Sequence, residues 1–409
     1  MQITSQHRHV VAAAYLGWTL DAFDFFIMVF VLRNIAETFE TTITAVTIAI
    51  TLTLAMRPVG AWVFGRLADR FGRRPTLMAD VLLYSILELA TAFSPNLIVF
   101  IILRALYGIA MGGEWGVGAS LTMESIPRNW RGPVSGLLQA GYPSGYLLAT
   151  ILYWIAFPYV GWRGMFIIGA LPAFLVLYIR SAVPESPDWH ARQSSGAAAR
   201  SIGQVLKSHI GLTIYAVLMM TAFNFFSHGT QDLYPTFLQV QHKLPTSTVA
   251  TIAIIYNIGA ILGGLAFGIL SQKIGRRIAI VIAAVLALPV IPLWAFSSTP
   301  FALGAGAFLM QVMVQGAWGV IPAHLNELSP PEIRGTFPGT VYQLGNLLAA
   351  ANATIQSAIA TSLGGNYSWP LAGVAGIVAV IIAVLVGFGR EARHVHMGAA
   401  PAEPARTQA

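Results

Sequence analysis

The chain has 409 residues, of which 56% are hydrophobic and only 10% are charged, and its mean hydropathy is +0.69. Soluble domains carry about 25% charged residues, so this composition excludes an ordinary soluble protein and predicts a membrane protein. The absence of cysteine excludes a disulfide framework and thiolate metal sites. A net charge of +7 would suit a nucleic-acid binder, but the distribution of the cations indicates membrane topology instead.

Apolar runs of roughly 20 residues recur along the chain, each long enough to cross a bilayer as a helix. They are continuous rather than alternating, which disfavours a transmembrane β-barrel. The first run is long enough to span and contains two aspartates, so we expect no cleavable signal peptide. We predict an all-α membrane protein with twelve transmembrane helices, in runs that begin near residues 11, 41, 76, 97, 133, 163, 209, 247, 278, 301, 336 and 370.

Positive charges are concentrated in the termini and in one set of loops. Of the 23 Lys and Arg residues, 18 fall in the two termini and the even-numbered connections between the predicted spans. Cytoplasmic loops of membrane proteins carry such an excess of Lys and Arg. The pattern therefore predicts that both termini are cytoplasmic, which requires an even number of helices. We expect a multi-pass protein of the plasma (inner) membrane.

The two halves of the chain repeat one another at an offset of 203 residues. The segment 65–74 recurs at 268–277, and the segment 113–117 recurs at 316–320. Repeats of this kind predict two pseudo-symmetric six-helix bundles, with a substrate site between them that is opened to each side in turn. The predicted boundaries are 1–187 for the first bundle, 188–206 for a polar cytoplasmic linker, and 207–409 for the second bundle with a short cytoplasmic tail.

The loop G-x-L-A-D-R-x-G-R-R at 65–74 resembles the signature of the major facilitator superfamily, and P-E-S-P at 184–187 resembles the sugar and organic-acid porters. This resemblance covers essentially the whole chain and implies the fold of that superfamily. We expect the loops to form a conformational latch, with direct substrate contact as the alternative. Gln272 replaces Asp69 in the second copy, so the second loop should hold its neighbours less firmly by charge. The predicted latch residues are Gly65, Asp69, Arg70, Gly72, Arg73, Arg131, Gly268, Arg276 and Arg334.

Several charged residues fall inside the predicted spans of the first half, where each costs several kcal/mol unless it is paired, hydrated or protonated. A buried carboxylate beside an arginine can exchange ion pairing for protonation. We predict that Asp21 or Asp24 couples transport to a proton, working with Arg57 or with Arg104, which resembles the superfamily's fourth-helix arginine motif. Glu114 is the next candidate, and static ion pairs that lock helices together are the alternative. Asp80 and Glu88 of the third span rank lower.

A stripe of polar residues lies within an apolar stretch at the start of the second half. Asn224, Ser227, His228 and Gln231 share one helical face, and Asp232 lies on its flank. Polar groups at bilayer depth are costly unless they face protein or a water-filled cavity, so the stripe predicts a functional site. Its alternative role is to hydrogen-bond between helices, at about 0.6 kcal/mol for each side chain.

The stripe also carries the most specific resemblance in the chain. The pattern N-x-x-S-H-x-T-Q-D-x-x-x-T at 224–236 is similar to the signature of the Jen-type lactate/pyruvate permeases, and L-D-A-F-D-F-F at 20–26 resembles their group, the sialate/monocarboxylate–proton symporters. The resemblance implies symport of a short monocarboxylate with a proton. The expected substrate-binding residues are Arg57, Tyr142, Asn224, His228, Gln231, Gln343 and Asn346, and the expected proton-coupling residues are Asp21, Asp24, Arg104, Glu114 and Asp232.

Other functions receive less support. A larger organic anion, such as sialate or an aromatic acid, is the main alternative, because D-x-x-D in the first span also resembles aromatic-acid symporters. A non-transporting nutrient sensor is disfavoured by the short tails. An enzyme is disfavoured because no nucleophile–base pair, phosphate loop or metal-ligand spacing is present. We expect no cofactor besides the coupling proton, no metal, no nucleic-acid partner, and a monomer.

Overall fold

The computed structural model describes residues 3–194, 202–395 and 397. Residues 195–201 of the predicted linker therefore lie outside the described residues, as does the tail from residue 398. The helices of the first half are α1 (Ser5–Thr38), α2 (Ile43–Phe71), α3 (Arg73–Ala92), α4 (Leu97–Ser125), α5 (Arg131–Gln139), α6 (Gly141–Gly169), α7 (Ala173–Ala182) and α8 (Pro187–Ser194).

The helices of the second half follow a similar order. They are α9 (Ile202–Ser208), α10 (Ile210–Gln231), α11 (Tyr234–Thr236), α12 (Thr246–Ile274), α13 (Arg276–Ala287), α14 (Ile291–Ala295), α15 (Pro300–Trp318), α16 (Ile321–Leu328), α17 (Phe337–Ala349), α18 (Asn352–Ser362) and α19 (Ser368–Gly387). A π-helical stretch, Phe237–Gln241, continues α11.

Ten helical stretches among the described residues are long and apolar enough to cross a bilayer. One of them, Arg128–Ala182, has 55 residues and leaves helical geometry at Gly161, where φ is 62°. It therefore contains two crossings, and α17 with α18 makes a further one. The prediction of an all-α protein with twelve transmembrane helices is confirmed.

Local sequence signals account for several helix boundaries. Thr4, Thr42 and Asn96 each accept a hydrogen bond from the backbone N–H three residues further on, which caps α1, α2 and α4. Gly72 separates α2 from α3 with φ of 112°, and Gly275 separates α12 from α13 with φ of 105°. Because positive φ favours glycine, the two halves make the same turn at equivalent positions.

The end of the bundle that carries the segments 66–74, 127–131 and 272–277 is called the basic end below. Here each half contains a buried clamp. Arg73 forms two hydrogen bonds with Glu124, at 2.9 and 3.1 Å, and Arg276 forms two with Glu327, both at 3.0 Å. The two pairs are related by the offset of 203 residues and tie the loop after the second helix of each half to the end of its fourth.

The two halves also contact each other at the basic end. Asp69 accepts hydrogen bonds from the backbone N–H groups of Gly335 and Thr336, at 2.8 and 3.1 Å, and from the Thr336 hydroxyl at 2.6 Å. Gln272, the residue that replaces it in the second copy, accepts one hydrogen bond across this interface among the described residues, from the backbone N–H of Gly132 at 3.0 Å. The carboxylate therefore holds the interface more strongly than the amide does.

Other predicted latch residues lie around these contacts. A Cβ built at Gly65 would lie 2.5 Å from the Cα of Thr336, so glycine is needed for this approach of the halves. A Cβ built at Gly268 would lie 2.7 Å from the carbonyl oxygen of Gly132 and 2.8 Å from the Cα of Gly136. Arg334 donates to Asp188 at 2.7 Å, Arg131 donates to the carbonyl of Val395 at 2.9 Å, and Arg70 is exposed above the ring of Phe71. The basic end is closed in this structure.

We expect Asp69→Asn to weaken the closed basic end, because its backbone and hydroxyl donors then face a neutral acceptor. Hydrogen bonds to charged groups contribute about 1.5–3 kcal/mol, so the equilibrium should shift towards opening by about tenfold. The chain contains no cysteine, so two introduced cysteines, one in each half, allow distance measurement by pulsed electron paramagnetic resonance.

Arg70→Gln is the matched control, since Arg70 lies beside Asp69 in the last turn of α2 but is exposed above the ring of Phe71. Its distance distribution should equal that of the unaltered protein. Equal distributions for both variants would contradict a role for Asp69 in holding this end closed.

Candidate substrate site

A cavity of about 410 Å³ lies between the two halves. Towards the basic end it stops at the contacts described above. Towards the opposite end it is open, and the side chain of Asp232 there keeps 40% of its surface exposed. Six of the seven predicted substrate-binding residues line the cavity, namely Arg57, Tyr142, Asn224, His228, Gln231 and Asn346.

His228 joins two helices at the cavity wall. Its Nδ1 lies 3.2 Å from the carboxylate of Asp232, directly after α10, and its Nε2 lies 3.1 Å from Oδ1 of Asn346 on α17. A protonated ring donates to both partners, whereas a neutral ring requires the Asn346 amide to present its NH₂ group. The charge of His228 therefore determines what Asn346 offers to a ligand.

A network of amides continues this wall. Gln231 donates to Oε1 of Gln311 at 2.7 Å, and Gln311 donates to the hydroxyl of Thr230 at 3.1 Å. Gln315, one turn further along α15, donates to Ser227 at 3.2 Å. Sequence reasoning missed Gln311 and Gln315, although two glutamines four residues apart on one face of an apolar span gave a signal of the same kind as the stripe.

Aromatic rings form much of the remaining surface. Tyr142 lies 5.6 Å from Trp18 and 5.5 Å from Phe26 between ring centroids, and Trp318 lies 5.5 Å from Tyr342. These pairs come from both halves of the chain. The cavity thus combines one polar wall with an apolar surface, which is the usual composition of a site for a small organic ligand.

Arg57 supplies the cation of the cavity. It lies halfway along α2 and is almost fully buried, with its NH2 group 3.4 Å from Asp21 on α1. One oxygen of Asp21 and the Nε of Arg57 have no hydrogen-bond partner among the described residues. The guanidinium is therefore only loosely paired and retains donors for a carboxylate.

A seam of glycines holds Arg57 in place by bringing α2 and α4 into backbone contact. A Cβ built at Gly112 would lie 2.1 Å from the carbonyl oxygen of Arg57, and one built at Gly108 would lie 2.2 Å from that of Thr53. Gly60 makes the reciprocal approach from α2 to Ile109. Small residues permit such approaches between membrane helices.

The other predicted proton-coupling residues lie behind the cavity wall. Arg104 pairs with Glu88 and donates to Thr91 at 3.1 Å, and the structure does not pair it with either aspartate of α1. Asp24 is fully buried, and both of its oxygens lack a partner among the described residues. Asp24 and Glu88 both face Gly169, where an added Cβ would lie 3.0 and 3.1 Å from their carboxylate oxygens.

Glu114 occupies a separate position on α4. Its carboxylate lies against α1, where a Cβ built at Gly17 would be 2.2 Å from Oε1. A small cavity of about 10 Å³ lies beside it and is shared with Trp18, which also lines the central cavity. This is about the minimum space that one water molecule requires. The remaining predicted substrate residue, Gln343, is buried one turn before Asn346 and does not line the cavity.

Comparison with protein families shows to which of them the chain belongs. The model described as "Sugar (and other) transporter" matches residues 11–213 and again residues 205–406. The chain belongs to the sugar (and other) transporter family.

Two curated members of the wider group are similar over most of this transporter. The "Carboxylic acid transporter protein homolog" of Saccharomyces cerevisiae is 30% identical over 385 residues, which cover 88% of this chain and 62% of the yeast protein. The chain thus spans less than two thirds of that relative's length. The "Sialic acid transporter NanX" of Escherichia coli is 27% identical over 391 residues, which cover 95% of each chain.

Among solved structures, the major facilitator superfamily proton:xylose symporter XylE superposes with a TM-score of 0.75 at 19% identity, covering 95% of this chain and 96% of that one. The likeness shows a shared major facilitator fold. The relatives and structural neighbours are transporters rather than enzymes. Among the described residues of this transporter, no group of three or more His, Asp or Glu side chains could hold a metal ion.

We expect Gly112→Ala to destabilise the transporter by about 1–3 kcal/mol, because the new methyl group overlaps the backbone of Arg57. Displacement of α2 should also weaken ligand binding. Thermal unfolding in detergent, followed by intrinsic fluorescence, measures the first effect, and ligand titration measures the second.

The control is Gly373→Ala in α19, where a Cβ would meet nothing within 4 Å. Alanine is favoured over glycine in a helix by up to about 1 kcal/mol, so this change should be neutral or stabilising. If the two variants unfolded at the same temperature, the seam would not position Arg57.

Proposed function

We propose that this transporter carries a short monocarboxylate of the lactate or pyruvate type together with a proton, by alternating access. The proposal rests mainly on Arg57, a buried and loosely paired guanidinium that faces a cavity with neutral donors on its opposite wall. A guanidinium grips a carboxylate through two parallel hydrogen bonds. The similarity to carboxylic acid and sialic acid transporters supports an acidic substrate.

Arg57 also provides a means of coupling. Asp21 and a substrate carboxylate compete for the same guanidinium, because both are anions within reach of one cation. Protonation of Asp21 frees Arg57 for the substrate, and loss of that proton returns Arg57 to Asp21 and releases the substrate. Proton and anion therefore move together, and the site never holds two anions against one cation.

The second half contributes orientation. His228 and Asn346 lie together on the wall formed by α10 and α17, and Gln231 lies one turn from His228. We propose that these side chains bind the hydroxyl or keto oxygen of the substrate. We propose that the proton leaves Asp21 by way of Asp24, Glu114 and the Glu88–Arg104 pair, which are buried behind the cavity wall. Asp232, which lines the cavity, is a further proposed coupling residue.

A larger organic acid is the second candidate. The observation that favours it is the aromatic surface of the cavity, since the rings of Trp18, Tyr142 and Trp318 could enclose an apolar or cyclic body beyond the carboxylate. A sialate or aromatic acid would use the same Arg57 contact.

The distribution of positive charges decides the proposed orientation. We propose that the basic end, with both termini, faces the cytoplasm at the plasma (inner) membrane. We also propose that the protein works as a monomer with the proton as its coupling ion. The cavity then opens to the outside in the conformation described above.

Uptake of labelled lactate into proteoliposomes under an imposed inward proton gradient tests the function. We expect accumulation above the equilibrium level, competition by pyruvate, and collapse of accumulation when a protonophore removes the gradient. If lactate neither accumulates nor competes with a larger acid that does, the monocarboxylate proposal is wrong.

Arg57→Lys tests the site within the same assay. A lysine keeps the charge but loses the paired donors, so the apparent affinity for lactate should fall about tenfold or more while the protein remains folded. Arg33→Lys is the matched control, because Arg33 forms an exposed ion pair with Glu37 away from the cavity. Equal affinities in the two variants would remove Arg57 from the site.

A further inference from the structure

Two adjoining hollows lie on the surface of the protein at the basic end. The first, called the cationic hollow, has a volume of about 660 Å³ and is lined by Arg128, Lys273, Arg393 and His394. No acidic residue is among the described residues that line it.

The second, called the apolar groove, has a volume of about 1060 Å³ and runs along α1, α5 and α12. Its surface is formed mainly by side chains such as Val11, Val134, Leu265 and Ile269, with the indole of Trp130 towards the basic end. Asn129 lines both hollows, so they adjoin each other.

Two arginines of the cationic hollow are held in place without being neutralised. Arg128 donates through Nε to the backbone carbonyl of Arg393 at 3.0 Å, and its guanidinium contacts the ring of His394. Arg393 in turn donates to the carbonyl of Lys273 at 2.7 Å. Carbonyl oxygens orient a guanidinium but do not cancel its charge. Among the described residues, none of Arg128, Lys273 and Arg393 forms an ion pair with a carboxylate, so this surface attracts anions.

We propose that the two hollows together bind one anionic phospholipid, with its phosphate in the cationic hollow and its acyl chains in the apolar groove. The groove lies on the bilayer-facing surface, since Trp130 and Ile269 remain 39% and 48% exposed at its rim. A tryptophan beside clustered cations is typical of the level of lipid headgroups. A free phosphate would use only the first hollow, whereas a phospholipid fits the charge of one hollow and the apolar surface of the other.

The site has a consequence for the conformational cycle. Arg128 belongs to the first half of the chain, whereas Lys273 and Arg393 belong to the second, and the groove likewise combines α1 and α5 with α12. The complete site therefore exists only while the halves meet at the basic end. A bound lipid spans the interface and favours this closed conformation, because a ligand shifts an equilibrium towards the state that it binds more tightly.

Native mass spectrometry of the purified full chain tests the site with cardiolipin, phosphatidylglycerol and phosphatidylcholine as probes. We expect cardiolipin and phosphatidylglycerol to be retained and phosphatidylcholine to be lost on activation. The double variant Arg128→Gln/Lys273→Gln should reduce retention of cardiolipin at least fivefold. The control Arg180→Gln/Lys207→Gln removes two exposed cations that line neither hollow, and it should retain cardiolipin like the unaltered protein. Equal retention by the two double variants, or equal retention of all three lipids, would overturn the proposal.

A second variant distinguishes a lipid from a free phosphate. Leu137→Gln/Ile269→Gln makes the rim of the groove polar at two exposed positions, so folding should be preserved while cardiolipin retention falls. Inorganic phosphate should not displace the lipid. If cardiolipin retention were unchanged in this variant, or if inorganic phosphate displaced the lipid completely, the site would be one for phosphate alone and the proposal would be wrong.

Discussion

A guanidinium that is almost fully buried within a membrane protein must be neutralised, and the arrangement around Arg57 follows from this constraint. The backbone seam of α2 and α4 leaves Arg57 no room to withdraw, and its charge faces both the cavity and Asp21 on α1. Neither the cavity nor Asp21 satisfies all hydrogen-bond donors of the guanidinium. A distance of 3.4 Å to one carboxylate oxygen is a weak contact, and the remaining donors are best used by a second anion.

The contacts at the basic end determine how the two halves move when this end opens. Asp69 connects the two halves through three hydrogen bonds, whereas the two clamps, Arg73–Glu124 and Arg276–Glu327, lie within single halves. Opening this end therefore breaks the contacts of Asp69 and leaves the clamps intact. Each half can then move as a body, and the cavity between them opens on one side as it closes on the other.

The sequence predicted the helices and the polar residues that share one wall of the cavity, because both depend on periodicity. Twelve apolar runs specify twelve helices, and the spacing of Asn224, His228 and Gln231 places them on one helical face. Pairing between helices was harder to predict. Arg104 lies with Glu88 of α3, although the sequence favoured the aspartates of α1 as its partners. Helical periodicity fixes which residues share a face, but the partner of that face depends on how each helix is rotated in the bundle.

Competition between Asp21 and the substrate for Arg57 is tested most directly by the pH dependence of substrate affinity. Lactate binding to the purified protein should be measured by calorimetry between about pH 5.5 and about pH 8, in the unaltered protein and in Asp21→Asn. In the unaltered protein affinity should fall as the pH rises, because deprotonated Asp21 takes Arg57. In Asp21→Asn the guanidinium stays available, so affinity should remain high and lose most of this dependence. The same decline with pH in both proteins would contradict the account.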